Sequence, residues 1–418
     1  MFLVMKLLFI SSKFYPDVIS GGQISSFHIA KSLTKDNEVY VLTLYGGKII
    51  ISEKSDGLNI IRIPYQKRIK LLSNLDLMWI YLTKISLKYV KKIKPDIIHI
   101  INFEPILYNT FFLKLFYPKI PIVTTVNGPL FGCFTQSALD YKGDTCVNCR
   151  LVKRIKCSQK QWGNGFGSTY YLYSLWYMNL LKMSYIFIDK FFVVSDAMKP
   201  LLTNMGVDNN KIEKVHNPIL EQKIIKLGNT KIKEKYSIKQ EKVILFAGRL
   251  SKAKGIHRVI LAMKKVENTV FLVVGNKRGD YEYFKNLVVK NKLQKKVRFL
   301  GFIKHNDLQE LYKITNLVVL PETFYEPLSR LLLEASSYGI PIIATNIGGN
   351  SEIVKNNKIG TLIKKSQFDK LDVYINNYLN NKTEFSKEYS INHIKENFTK
   401  RKISNQLNKN YKKLLTMS

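Results

Sequence analysis

Short apolar runs of strand length alternate with longer amphipathic stretches along most of the chain. In the first half such runs cover residues 6–11, 38–44, 60–63, 97–101, 122–126 and 191–195. A short continuous apolar run is the pattern of a strand buried on both faces, and its alternation with helical periodicity predicts a parallel sheet wrapped by helices. A second series, residues 243–247, 270–274, 297–300, 317–320, 342–344 and 361–363, predicts a second doubly wound domain. The turn-like Val215-His216-Asn217-Pro218-Ile219 divides the two, because Pro218 cannot continue a ladder and biases Asn217 away from helix. After Tyr389 the chain is polar and helix-forming, with no further strand. The expected organisation is α/β throughout: residues 1–218, residues 219–390 and a terminal helical segment, 391–418.

The length, 418 residues with 46% apolar content, is enough for two cores of about 200 residues each. The apolar start is interrupted by Lys6 and lacks a small-residue cleavage site, so it predicts a first strand rather than a signal peptide. No run reaches the ~18 to 20 uncharged apolar residues of a spanning helix. Residues 170–188 come nearest and are broken by Lys182, which predicts a buried or membrane-facing helix. The glycine-rich stretch 163–167 follows no strand and has Ser168 where a dinucleotide fingerprint needs glycine, so it is expected to be a flexible loop.

The net charge of +35 implies an anionic partner: nucleotide phosphates, acidic lipid head groups or nucleic acid. The abundance of Lys, Ile and Asn accounts for part of it as plain composition. Lys67, Arg68 and Lys70, then Lys84, Lys88, Lys91, Lys92 and Lys94, are interleaved with Ile69, Leu71, Leu72, Ile80, Leu87, Tyr89 and Ile93. An amphipathic basic segment of this kind can lie on an anionic leaflet, gaining roughly 1 kcal/mol per basic residue near the surface. The expectation is a cytoplasmic protein, peripheral on the inner face of the cell membrane.

All four cysteines, Cys133, Cys146, Cys149 and Cys157, fall in an insertion at 133–157 with spacing C-x12-C-x2-C-x7-C. A cytosolic compartment disfavours structural disulfides, so four thiolates around a structural Zn²⁺ is the leading expectation. An iron–sulfur cluster and a redox-active Cys146/Cys149 pair stay open, because the spacing matches no standard finger.

The densest chemistry lies at 324–343. Glu326 is followed by Pro327, suited to a first helical position, and by the helix-forming run 328–335, which places Glu334 about two turns further on. Eight helical residues would separate the carboxylates by roughly 12 Å. Glycosidase acid and base carboxylates stand roughly 5 to 9.5 Å apart, so this pair is too wide for that work. It suits the two ends of an elongated ligand with an anionic middle, since helix-start N–H groups lie between them. Upstream, the strand 243–247 runs into Gly248-Arg249-Leu250-Ser251-Lys252-Ala253-Lys254-Gly255, where Arg249 offers a planar fork and Lys254 a mobile point charge for phosphate oxygens. In the first domain, Gly21-Gly22-Gln23 open a helix and let backbone approach a ligand closely. No Asp-x-Asp occurs, so these cations and a helix start, rather than a divalent metal, are expected to stabilise a departing diphosphate.

These segments resemble the retaining glycosyltransferases of family 4: Glu326-x7-Glu334, the G-R-L-x-x-x-K-G run at 248–255 and the Gly21-Gly22 turn. Further landmarks are Asp96-Ile97-Ile98-His99, Val194-Ser195, Asn217-Pro218-Ile219, Phe299-Leu300-Gly301-Phe302 and Thr345-x-x-Gly348-Gly349-x-x-Glu352. The resemblance covers nearly the whole chain except the cysteine insertion. It implies a GT-B fold, two Rossmann-like domains facing a central cleft, with the C-terminal helix crossing back to the N-terminal domain. It also implies metal-independent transfer of a sugar, with retention, from a nucleotide diphosphate sugar to a hydroxyl of a glycan or lipid-linked acceptor, in cell-surface polysaccharide or glycolipid synthesis. No catalytic cofactor and no specific nucleic acid are implied.

By the same resemblance Glu326 binds hydroxyls of the transferred sugar, Glu334 the ribose diol, and Arg249 and Lys254 the diphosphate. Gly22, Leu328 and Ser329 lie beside the donor, Ile303 near its base, and Asn127 and His99 on the acceptor side. The leaving phosphate itself takes the acceptor proton, which makes Glu326, Arg249 and Lys254 transition-state stabilisers. Asn127 stands where many relatives have His, and Ser329 replaces a common Gly. His99 has a second reading, a buried strand-end histidine with one hydrogen bond. Two rival functions remain: a GT-B sugar-nucleotide epimerase or phosphorylase, and a non-enzymatic basic adaptor for membrane or nucleic acid.

Overall fold

The computed structural model describes residues 4–16, 21–65, 78–101, 106–107, 109–135, 137–219 and 228–417. It divides into two compact units, Met1–Pro218 with Phe398–Ser418, and Ile219–Asn397.

Unit 1 is built on strands β1 (Lys6–Ser11), β2 (Glu38–Tyr45), β3 (Ile51–Ser55), β4 (Leu58–Pro64), β5 (Ile97–Ile101), β6 (Ile122–Val126), β7 (Lys190–Val193) and β8 (Ile212–Lys214). They form one sheet in the order β3-β4-β2-β1-β5-β6-β7-β8, parallel except where β3 pairs antiparallel with β4. Leu7, Leu8, Phe9 and Ile10 of β1 are all fully buried, as a strand covered on both faces requires. β3 and β8 were not expected from the sequence. β3 is a polar edge strand, charged and mostly exposed, and β8 has only three residues, so neither leaves an apolar run.

Helices α1 (Gly21–Leu33), α2 (Met78–Ile93), α3 (Asn109–Phe116), α4 (Leu151–Trp162) and α5 (Asn164–Ile186) belong to this unit. The stretch 163–167 is a corner between α4 and α5 rather than a loop: Gly163 takes φ +81 and its N–H closes α4 onto Gln159 O. α5 buries Met178, Leu181 and Tyr185 and exposes Leu172, Trp176, Met183 and Ile186. Among the described residues no helix is long and apolar enough to cross a membrane. α2 covers the second part of the expected amphipathic basic segment. Its side chains Leu82, Tyr89, Val90 and Ile93 are buried within the unit, while Lys84, Lys88, Lys91 and Lys92, and also Ile80, are exposed. Residues 67–72 lie outside the described residues.

Unit 2 holds β9 (Lys242–Ala247), β10 (Thr269–Val274), β11 (Val297–Gly301), β12 (Leu317–Leu320), β13 (Ile342–Thr345) and β14 (Gly360–Ile363), all parallel, in the order β11-β10-β9-β12-β13-β14. That is the doubly wound 3-2-1-4-5-6 order, which reverses between β9 and β12. Its helices include α6 (His305–Ile314), α7 (Arg330–Ser337) and α8 (Lys387–Asn397). The last helix, α9 (Lys400–Met417), joins unit 1.

The terminal segment therefore changes unit at Phe398, not at 391. α8 stays on unit 2 because Ser390 donates to Ser336 O at 3.1 Å and Ile394 is buried. Ile403, Leu407 and Tyr411 of α9 join the core formed by Phe27, Ala30 and Leu33 of α1. Tyr411 also overturns the acceptor-side role expected for His99. The imidazole is wholly buried, with Nδ1 2.6 Å from Tyr411 Oη and Nε2 2.7 Å from Thr125 Oγ1. Both ring nitrogens are spent on the interior, leaving none for a ligand, and burial holds the ring neutral, with its pKa lowered to about 3.

Candidate functional site

Open parallel sheets bind ligands beyond the carboxyl ends of their strands, at the point where strand order reverses. In unit 2 that point lies between β9 and β12, so the loop leaving β9 carries Arg249 and Lys254 beside the loop leaving β12, which carries Glu322 and Glu326. Two glycines let the backbones close up. Gly255, at φ +77, lies against Pro321 O, and Gly348, at φ +57 after β13, lies against Glu326 O; a Cβ at either position would collide with that carbonyl. Gly349 N–H also donates to Glu326 O at 2.9 Å, which fixes the loop ahead of α7.

Lys254 is the centre of this node. Its ammonium donates to Glu322 Oε2 at 2.7 Å and to Glu326 Oε2, and it lies 5.2 Å from the centre of the Phe324 ring. Burial alone would favour the neutral amine, but the charges of Glu322 and Glu326 outweigh it and hold Lys254 above its ordinary value. Burial pushes the Glu322 carboxyl up to about 7, against the pull of Lys254. Glu322 is fully buried, and its second oxygen accepts from Asn350 Nδ2 at 3.0 Å. Sequence reading missed Glu322. The signal that could have found it is a carboxylate placed just past a central strand, four residues before Glu326.

α7 starts later than the sequence suggested. Pro327 is not its first residue; Ser329 is the N-cap, its Oγ accepting from Leu332 N at 3.5 Å, so the cap preference of serine prevails over Pro at N1. Half of the interval from Glu326 to Glu334 is thus loop, and the straight-helix spacing of the two carboxylates does not apply. Glu334 is largely buried: Tyr312 of α6 donates to its Oε2 at 2.8 Å and Arg330 to its Oε1 at 3.3 Å. Leu328 and Ser329 are also buried. Arg249 is exposed on the turn after β9, with no hydrogen-bond or ion-pair partner among the described residues, and Ile303 is half-buried just past β11. The structure brings Lys254 and Glu326 into direct contact; Glu334 sits with Tyr312 and Arg330 instead.

In unit 1, Gly22 and Asn127 are neighbours. A Cβ on Gly22 would stand 3.4 Å from Asn127 Cβ. Ser26 links them, donating to Gly22 O at 2.9 Å and accepting from Asn127 Nδ2 at 3.5 Å. Asn127 Oδ1 is buried with no hydrogen-bond partner among the described residues, so it is an acceptor in need of a donor.

The four cysteines line one small cavity together with Lys153 and Arg154. Among the described residues, however, no three His, Cys, Asp or Glu side chains are grouped as an ion would need. Cys146 donates its thiol to Asn148 O at 3.3 Å, and burial, with the neighbouring cysteines, pushes Cys149 up and Cys157 to about 11. The cavity gathers the four sulfurs on one lining.

Residues 19–222 match the family model described as Glycosyltransferase Family 4, and residues 228–396 the one described as Glycosyl transferases group 1. An uncharacterized glycosyltransferase of Methanocaldococcus jannaschii is 39% identical over 120 residues, 28% of this chain and 30% of that protein. The UDP-Gal:alpha-D-GlcNAc-diphosphoundecaprenol alpha-1,3-galactosyltransferase of Escherichia coli is 30% identical over 183 residues, 42% of this chain and 43% of that protein. The chain thus spans less than half the length of these curated relatives. Two solved structures share the fold at 18% identity. Anabaena HepE with UDP and glucose has a TM-score of 0.72 over 98% of this chain and 100% of that one. Sucrose-phosphate synthase of Thermosynechococcus elongatus has 0.76 over 99% and 100%. With one family model over each doubly wound unit, the chain belongs to the group 1, family 4 glycosyltransferases of GT-B fold.

Proposed function

We propose that this protein transfers a sugar from a nucleotide diphosphate sugar to a hydroxyl of a glycan or lipid-linked acceptor, with retention and without a catalytic metal. The observation that carries the reading is the Lys254 ammonium held against Glu326 at the sheet reversal of unit 2, with exposed Arg249 on the same turn. Two cations there can take a diphosphate, while Glu326 accepts hydrogen bonds from sugar hydroxyls. The galactosyltransferase relative, whose name gives UDP-Gal and a diphosphoundecaprenol-linked acceptor, supports a UDP-sugar and a lipid-linked glycan. Tyr312, Arg330 and Glu334 form the proposed ribose end, with Ile303 near the base and the backbone of Leu328 and Ser329 near the phosphates. Gly22 and Asn127 are the proposed ligand contacts in unit 1. As the diphosphate leaves, Arg249 and Lys254 balance its growing charge, and a phosphate oxygen takes the acceptor proton.

Calorimetric titration with UDP-glucose, UDP-galactose and GDP-mannose tests the donor. Transfer to an undecaprenyl diphosphate-linked sugar, with and without EDTA, tests the reaction, and the anomeric configuration of the product by NMR tests retention. One nucleotide sugar is expected to bind in preference, with α-linked product unaffected by EDTA. Failure of all three donors to bind, together with salt-sensitive nucleic-acid binding, would favour the adaptor reading instead. Conversion of the donor without acceptor would favour an epimerase.

A further inference from the structure

We propose that Glu322 is a positioning residue for Lys254: it holds the ammonium from the buried side, so that the charge stays aimed at the diphosphate when the sugar hydroxyls occupy Glu326. The proposal rests on the donor reading given above.

Three observations lead to it. Glu322 is wholly buried, and both its oxygens are occupied by the protein, one by Lys254 and the other by Asn350 Nδ2, so it has no oxygen to offer a ligand. Lys254, by contrast, lies between two carboxylates of different kind: Glu326 keeps 18% of its side chain exposed, Glu322 none. Asn350 is itself tied to Thr345 O at 3.1 Å, so β9, β12 and β13 all anchor the same ammonium through Lys254, Glu322 and Asn350. A lysine on a flexible four-carbon stem would otherwise follow whichever acceptor was free. A buried carboxylate that touches no substrate is costly to keep and brings little stability over an apolar side chain, so its value here is the direction it gives its partner.

The groups facing the Glu322 carboxyl are Lys254 from the turn after β9, Glu326 from its own loop and Asn350 from the helix after β13. Lys254 attracts its charged form; burial and Glu326 oppose it. The carboxyl therefore loses its proton near neutral pH, and only the charged form pulls firmly on Lys254. Activity is expected to rise with pH through this titration.

The test is Glu322→Gln, read as kcat and KM for the donor from pH 5.5 to 8.5. The expected result is a kcat at pH 8 lowered about 10- to 100-fold, as for a misplaced catalytic group, with KM changed far less and the rising limb near pH 7 lost. Glu322→Asp keeps the charge but withdraws it by one methylene, so it should retain the limb at reduced kcat. If Glu322 acts through Lys254, Glu322→Gln should cost nothing further in a Lys254→Ala background. Thermal melting and donor calorimetry on each variant separate misfolding from mispositioning. A folded Glu322→Gln enzyme with wild-type kcat and pH profile would overturn the proposal, as would an undiminished effect in the Lys254→Ala background. A wild-type protein that neither binds nor transfers a sugar nucleotide would instead remove the donor reading.

Discussion

Arg249 and Lys254 each carry one positive charge at the same end of the sheet, yet their removal should have different consequences. Arg249 is exposed, with no hydrogen-bond or ion-pair partner among the described residues, so Arg249→Ala is expected to leave stability within about 0.5 kcal/mol while cutting turnover roughly 10²-fold at saturating donor. Lys254→Ala strands two carboxylates, one fully buried, and should cost about 3 to 5 kcal/mol by urea denaturation at pH 8. That loss should shrink as pH is lowered. Without its cation, Glu322 has a folded-state pKa above its unfolded value, and protonation below it removes the stranded charge. The cysteines give a second residue-scale expectation: at pH 8 iodoacetamide should label Cys146 well before Cys157, whose pKa of about 11 leaves roughly 10⁻³ as thiolate. Mass spectrometry of a time course reads this directly; equal protection of all four, lifted only by a chelator, would support a bound Zn²⁺ instead. Arg249, Lys254 and Glu326 were legible in the sequence because each stands in a short pattern following a strand. Glu322 was not, because its partner lies 68 residues away and they meet only through the adjacency of β9 and β12.

Between elements, α9 is held to unit 1 by an apolar seam and by the chain Tyr411–His99–Thr125. His99 titrates near 3 in the fold and near its ordinary 6.5 when unfolded. Between those values only the unfolded chain takes up a proton, so the stability is complete above about 6.5 and is lost as pH falls. At pH 5 the loss amounts to roughly 2 kcal/mol. His257 in unit 2, lowered to about 4 by burial and by Arg258 and Lys252, adds a dependence of the same sign. The informative quantity is thus the change in urea midpoint from pH 7 to pH 5 in wild type against His99→Gln, which should be smaller in the variant; equal changes would show that the imidazole is not buried as described. Strand order and the start of α7 show where sequence patterns stop. Hydrophobic runs located the long strands, but β3 and β8 lack them, and the helix start depended on a serine cap competing with a nearby proline.

For the molecule as a whole, two series of strands in the sequence were enough to expect two doubly wound units, while the point where the tail changes unit was set by packing at Ser390 and Phe398. Charge is the other property of this scale. The formal +35 has no matching acidic face in the composition, with 66 basic against 31 acidic residues, so adsorption to an anionic surface is the expected behaviour. Because α2 buries Leu82, Tyr89, Val90 and Ile93, attraction through this helix is expected to be mainly electrostatic, through exposed Lys84, Lys88, Lys91 and Lys92. Four such lysines can contribute up to about 4 kcal/mol at low ionic strength. Replacing all four with Gln should weaken binding to vesicles rich in acidic phospholipid at least ~10-fold in a sedimentation assay, and about 0.5 M salt should release the wild-type protein. Insertion of the exposed Leu172, Trp176, Met183 and Ile186 side chains of α5 would show a different signature: binding that survives salt and a blue shift of Trp176 emission. Salt-resistant binding unchanged by the lysine replacements would assign membrane contact to α5 and not to α2.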